Sequence, residues 1–270
     1  MKKFAKIFIF ILVALFVFNT PSYSLDLKNS PEDCTYIINN VNNEQTKELA
    51  YYYRGQYYYE NGEYLKAVSD FTESIKRAKT NESLEESYFY RGSAYFDMEN
   101  FEKAIPDFTE AIKRSADNPA SQAESYSLRG RAHLMLGEND TAIKDSSIVI
   151  QRGYADKESW AFPAYYTRGM AYNELKNYKS AISDLTKFIN YEQNNLQDPS
   201  IVLQVGDAHR TIALAKIEAG MVKSHNDALA VFKDLEKSIN AYSKLDEPIA
   251  KAKKEMSSVI LKELKARYYK

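Results

Sequence analysis

One short pattern occurs four times in this chain of 270 residues. Tyr51-x-x-Arg54-Gly55, Tyr88-x-x-Arg91-Gly92, Tyr126-x-x-Arg129-Gly130 and Tyr165-x-x-Arg168-Gly169 follow one another at 37, 38 and 39 residues, glycine to glycine. A period in this range excludes a single globular core. It belongs to a stacked array whose units bury their apolar faces only against their neighbours. Such arrays offer extended surfaces to partners.

Within each unit the apolar positions recur at three, four and seven residues, the helical period. An aromatic or histidine follows each glycine by three residues: Tyr58, Tyr95, His133 and Tyr172. A turn is expected at Gly62, Asn100, Gly137 and Asn177. A second helix follows, with Ala67-Val68, Ala104-Ile105, Ala142-Ile143 and Ala181-Ile182, and then Phe71, Phe108, Ser146 or Leu185 four residues past each alanine. Small residues at facing positions let two helices approach, and the large side chains fill the space beside them.

This unit resembles the tetratricopeptide repeat. The family's usual period is 34, so the repeat junctions or helices here are expected to be longer. The family's closing proline is missing from its usual place. Pro119 and Pro163 instead stand where a proline can open the next first helix. The resemblance implies an all-α, right-handed superhelical solenoid of helix-turn-helix repeats with a C-terminal capping helix. Four repeats are expected at about 48–84, 85–122, 123–161 and 162–195, and a degenerate fifth over 196–246. In that fifth unit Leu214-Ala215 is read as the motif, Ala219-Gly220 as the turn, and Ala228-x-x-x-Phe232 as the second helix. The final helix, within 247–270, carries Ile249, Ala252, Met256, Val259, Ile260 and Leu264 as one packing stripe, with Lys and Glu on its other face. Its basic end (Lys262, Lys265, Arg267, Lys270) suits a helix C-terminus without any lipid contact.

Residues 1–24 have the three-part build of a secretory signal: Lys2, Lys3 and Lys6, an apolar run from Ile7 to Phe18, and small residues before a cut after Ser24. The run is shorter than the roughly 20 residues that span a bilayer. The expectation is an exported chain, periplasmic or secreted, or anchored in the inner membrane if the signal is retained. Without this segment the chain has 33 basic and 37 acidic residues, a charge of −4, which argues against nucleic acid. The single cysteine, Cys34, permits no internal disulfide. Residues 25–47 are expected to be loose up to residue 30, then a short capping helix. Ser30-Pro31-Glu32-Asp33 is its start signal.

Arginine and aspartate recur in register. Arg54, Arg91, Arg129 and Arg168 precede Asp70, Asp107, Asp145 and Asp184 by 16 residues each. An Arg–Asp contact between the two helices of each unit is expected, against the competing reading that both charges are solvated. Pro106 falls beyond the first turn of a second helix, where a local irregularity is expected.

Carried over from the resemblance, the inner face of the array is lined by Tyr52, Gln56, Tyr59 and Glu60; Phe89, Ser93, Phe96 and Asp97; Ser127, Arg131, Leu134 and Met135; and Tyr166, Met170, Asn173 and Glu174. Aromatic and methionine side chains make good contact surfaces, and Glu60, Asp97 and Glu174 rim them. An amphipathic helix or extended peptide with an apolar stripe and basic flanks fits that description. The competing reading is that large rings such as Tyr52 pack against the next repeat. The Lys and Asn needed for a carboxylate clamp are absent from Tyr52, Gln56, Phe89, Ser93, Ser127 and Met170.

No catalytic or cofactor signature is present. His133, His209 and His225 have no second ligand at metal spacing, and phosphate loops and nucleophile elbows are missing. Trp160 is read as sealing a repeat junction. The expected role is a non-enzymatic interaction scaffold, adaptor or assembly factor of the bacterial cell envelope. It needs no cofactor and binds a peptide or protein segment. The alternative is an extracytoplasmic carrier of a small apolar ligand in an aromatic groove, with an enzyme as the weakest reading.

Overall fold

In the computed structural model, the described residues are 26–28, 30–115, 117–152, 161–192 and 197–268. The expected signal segment and Trp160 lie outside them. Among the described residues there are twelve helices and no strand. These are α1 (Pro31–Asn40), α2 (Glu44–Glu60), α3 (Tyr64–Arg77), α4 (Asn81–Asp97), α5 (Phe101–Arg114), α6 (Pro119–Met135), α7 (Asn139–Gln151), α8 (Ala161–Glu174), α9 (Tyr178–Glu192), α10 (Pro199–Glu218), α11 (His225–Tyr242) and α12 (Pro248–Tyr268). The chain forms two compact units, one ending at Ser125 and one beginning at Tyr126. In the first, α1 to α5 pack in series; in the second, α7 to α12 do so. This is the architecture of a helical repeat solenoid.

Local chemistry sets the helix starts. Ser30 caps α1 by accepting from the Asp33 amide, with Pro31 in the first turn. Asn43 and Thr80 cap α2 and α4 in the same way. Ser224 and Asp227 form a reciprocal capping box on α11. The extra length of the repeat is helical: α2, α4 and α6 each run for 17 residues.

The turn between the paired helices is the same in five places. A residue with positive φ closes the first helix, at Gly62, Glu99, Gly137, Lys176 and Gly220. The next amide then bonds back five residues, as Glu63 N to Tyr58 O at 2.8 Å and Met221 N to Lys216 O at 3.0 Å. The left-handed residue always stands seven after the motif glycine. In the second and fourth units it is therefore Glu99 and Lys176, not the neighbouring Asn100 and Asn177 named from sequence. Counting back from Gly220 also corrects the fifth unit. Its close-approach residue is Ala213, fully buried, rather than Leu214-Ala215, because three extra residues lie between Gly220 and α11. Ile212 and His209 then occupy the arginine and tyrosine positions.

The motif glycine is required by close approach. A Cβ on Gly55 would meet Phe71 Cε1 at 2.9 Å, and one on Gly169 would meet Leu185 Cγ at 2.8 Å. Two further expectations need correction. Helix α5 continues unbroken through Pro106, which sits on its exposed face. The N-terminal residues 26–28 are not loose: Leu27 is buried, and its carbonyl accepts from Cys34 Sγ at 3.2 Å. Burial pushes the Cys34 thiol up to about 12, so it stays protonated and unreactive.

Helix α12 is turned differently from the stripe read in sequence. Ala250 and Ser257 are fully buried, and Ile260, Leu261 and Leu264 pack on Ala213, Val231 and Leu235. Ile249, Met256 and Val259 point outward, at 55, 54 and 55% exposure. Lys253 anchors the helix through Asp207 Oδ2 at 2.6 Å, and Tyr242 donates to the other oxygen of the same carboxylate at 2.8 Å. The buried acid explains why this lysine turns inward.

Candidate partner-binding surface

The four Arg–Asp pairs hold each first helix in register on its second. Each arginine donates Nε to one carboxylate oxygen and Nη2 to the other: 2.7 and 2.8 Å for Arg54–Asp70, 2.8 and 2.7 Å for Arg91–Asp107. Arg129–Asp145 and Arg168–Asp184 repeat the fork at 2.7 to 3.0 Å. The planar guanidinium matches a carboxylate in this way. Burial, the larger influence, pushes the Asp107 carboxyl up, and the Arg91 hydrogen bond offsets it only in part.

Sequence reasoning missed a third bond made by three of these arginines. Arg54 Nη1 donates to Thr35 Oγ1 at 2.8 Å, Arg91 Nη1 to Thr72 Oγ1 at 3.0 Å, and Arg168 Nη1 to Ser147 Oγ at 3.1 Å. Thr35 lies on α1, and Thr72 and Ser147 on the second helix of the preceding pair. Thr35 and Thr72 spend their own protons on Pro31 O and Val68 O, so an oxygen lone pair faces the next arginine. A signal was available: a hydroxyl residue stands two after each aspartate, as Thr72, Thr109, Ser147 and Thr186. The motif tyrosines complete the outer face. Tyr51 lies between Arg54 and Arg77 at 5.7 and 4.8 Å, and Tyr88 between Arg91 and Arg114 at 5.4 and 5.0 Å.

The opposite face of the first helices holds the residues assigned to partner contact. In the first compact unit, Tyr52 is a correction. It is buried in a ring cluster with Phe71 and Tyr90, at 6.2 and 5.9 Å, where it seals one repeat against the next. Gln56, Tyr59, Phe89 and Phe96 are half-buried, Ser93 is buried, and Glu60 and Asp97 are exposed. Tyr59 donates to Asp97 Oδ2 at 2.7 Å, from the first repeat to the second, and its ring lies 5.8 Å from Tyr64 and 6.0 Å from Tyr90. Burial, then the bond to Asp97, raises the Tyr59 hydroxyl, which therefore stays a donor. Tyr90 is raised by burial and by the charges of Glu124, Glu86 and Glu60, against the bond from Gln56. This face thus combines aromatic edges with carboxylate acceptors.

In the second unit, Met135 is exposed, while Arg131, Leu134, Met170 and Asn173 are half-buried and Ser127 is buried. Tyr166 and Met170 pack on the cluster of Leu185, Phe188 and Ile212. Ser127, Ser146 and Thr167 stand in the repeat positions that Tyr52, Phe71 and Tyr90 occupy in the first unit. All three are nine-tenths buried or more, and their hydroxyl oxygens have no hydrogen-bond partner among the described residues.

Comparison with known proteins agrees with the geometry. The tetratricopeptide repeat pattern matches residues 48–81, 85–118 and 162–195. The fold is similar to the crystal structure of MamA protein, with a TM-score of 0.56 and 20% identity over 74% of this chain and 94% of that one. It is also similar to YrrB, described as a tetratricopeptide repeat protein with an unusual peptide-binding site, with a TM-score of 0.57 and 16% identity over 84% and 100% of the two chains. A tetratricopeptide repeat protein from Parabacteroides merdae matches with a TM-score of 0.56 and 15% identity over 86% and 93%. No curated protein matches the chain.

Proposed function

We propose, from the premise that this chain is a tetratricopeptide repeat protein, that it is a non-enzymatic scaffold of the bacterial cell envelope. It captures a peptide or protein segment on the face formed by α2 and α4. The observation that carries this reading is the Tyr59–Asp97 bridge. It holds half-buried rings beside exposed carboxylates, across the two repeats. Aromatic edges accept an apolar stripe with little loss of side-chain freedom, and Glu60 and Asp97 complement basic flanks. The peptide-binding site named for YrrB supports the same class of partner. The export reading is supported by the three-part pattern of residues 1–24. The membrane would be touched only through that segment if it is retained, and nucleic acid is not a partner. A carrier of a small apolar ligand would need an enclosed cavity. The hollows on α12 and beside Arg168 are open to solvent.

The test is a pull-down from envelope extract, comparing wild type with Tyr59→Ala plus Phe96→Ala, both checked for equal helicity and thermal stability. Recovered partners should fall by tenfold or more. Unchanged recovery would remove this face from the proposal.

A further inference from the structure

Helix α12 packs its inner stripe on α11. A second stripe of Ile249, Ala252, Met256 and Val259 faces outward between exposed Lys and Glu residues, the last three beside a shallow hollow of about 500 Å³. The spacing of three, four and three residues is that of a short heptad seam, which ends where the next seam position is Glu263. A charge pair flanks the seam on one side. Glu255 and Lys262 are seven residues apart, both exposed, and neither forms an ion pair within the chain among the described residues.

We propose that this stripe is the contact surface for a second copy of the chain, with the two α12 helices antiparallel about a two-fold axis. The arrangement is self-complementary. If Met256 of one copy packs against Val259 of the other, Glu255 of the first comes beside Lys262 of the second, and the symmetry repeats both contacts. A parallel pair would instead set Glu255 beside the partner's Ile260 and leave both charges without a mate. The face is small, and stable dimers bury about 1,600 Å² in total, so the association is a weak one that rises with concentration. An anionic bilayer fits less well, because Glu255 and Glu263 lie along the outward face. The proposal is independent of the partner face on α2 and α4.

Sedimentation velocity of the full chain over a range of concentrations tests it. Any association through the N-terminal apolar run is common to all variants, so the differences isolate α12. Met256→Glu should abolish the concentration-dependent dimer. Glu255→Lys and Lys262→Glu should each weaken it by tenfold or more, and the double exchange E255K/K262E should restore it. A wild type that stays monomeric at several hundred micromolar would overturn the proposal, as would a double exchange no better than the singles. So would flotation with anionic vesicles that Met256→Glu abolishes while leaving self-association intact; that outcome would assign the stripe to lipid.

Discussion

Arg91 donates to the hydroxyl of Thr72 at 3.0 Å, across the boundary between one helical pair and the next, while its other nitrogens grip Asp107. One guanidinium thus fixes both the register within a repeat and the stacking between repeats. Removing one partner leaves a buried charge uncompensated, which typically costs about 3–5 kcal/mol. Arg91→Met and Asp107→Leu alone should each lower stability by about that much. The double variant should recover most of the loss. The protein makes this exchange itself in the fifth unit, where buried Ile212 and Val231 occupy the two positions. Chemical denaturation of the three variants measures the coupling; strict additivity would refute the account.

Glu99 and Lys176 hold φ of 57° and 59° at turns where the other units use glycine. A side chain in that region costs about 1 kcal/mol. Glu99→Gly and Lys176→Gly should each raise the midpoint of thermal unfolding, and Gly62→Ala should lower it. A fall on Glu99→Gly would show that the carboxylate contributes more than the strain removes.

Thr167 is buried and its hydroxyl has no partner among the described residues, whereas Ser74, equally buried, bonds Ser87 at 2.9 Å and Glu48 at 3.3 Å. Replacing an unsatisfied hydroxyl with a methyl of the same shape removes a desolvation penalty. Thr167→Val should therefore stabilise the protein by about 1 kcal/mol, and Ser74→Ala should destabilise it by about the same amount. The contrast in sign is the measurement.

Glu124 is raised above its ordinary value of 4.5, first by burial and then by the charge of Glu85. A carboxyl raised in the folded state binds its proton more tightly there. Its contribution favours the fold below the unfolded value and turns against it as pH rises through the folded one. Glu124→Gln should therefore raise the melting temperature at pH 7 and lose that advantage by pH 4. An equal gain at both values would locate the effect in packing rather than charge.

Several features needed only the chain. The period named the architecture, because units incomplete alone must stack. The 16-residue interval from Arg91 to Asp107 paired them, since one helix, a tight turn and the opposite helix leave little freedom between those positions. Ser30-Pro31 marked a helix start, because capping depends on neighbours in sequence. Other features were settled by tertiary packing. On α12 the sequence was read as one packing stripe from Ile249 to Leu264, but helical periodicity says which residues share a stripe, not which of them meet α11; the buried Asp207 and Ala213 chose Lys253, Ile260 and Leu264 and left Ile249, Met256 and Val259 outside. Tyr52 left the partner face for the repeat junction because Phe71 and Tyr90, which follow it by 19 and 38 residues in the chain, close over it in space. The third bond of Arg54, Arg91 and Arg168 was decided in the same way. Its acceptor lies on a preceding helix, and only the stacking of one pair on the next brings hydroxyl and guanidinium within reach.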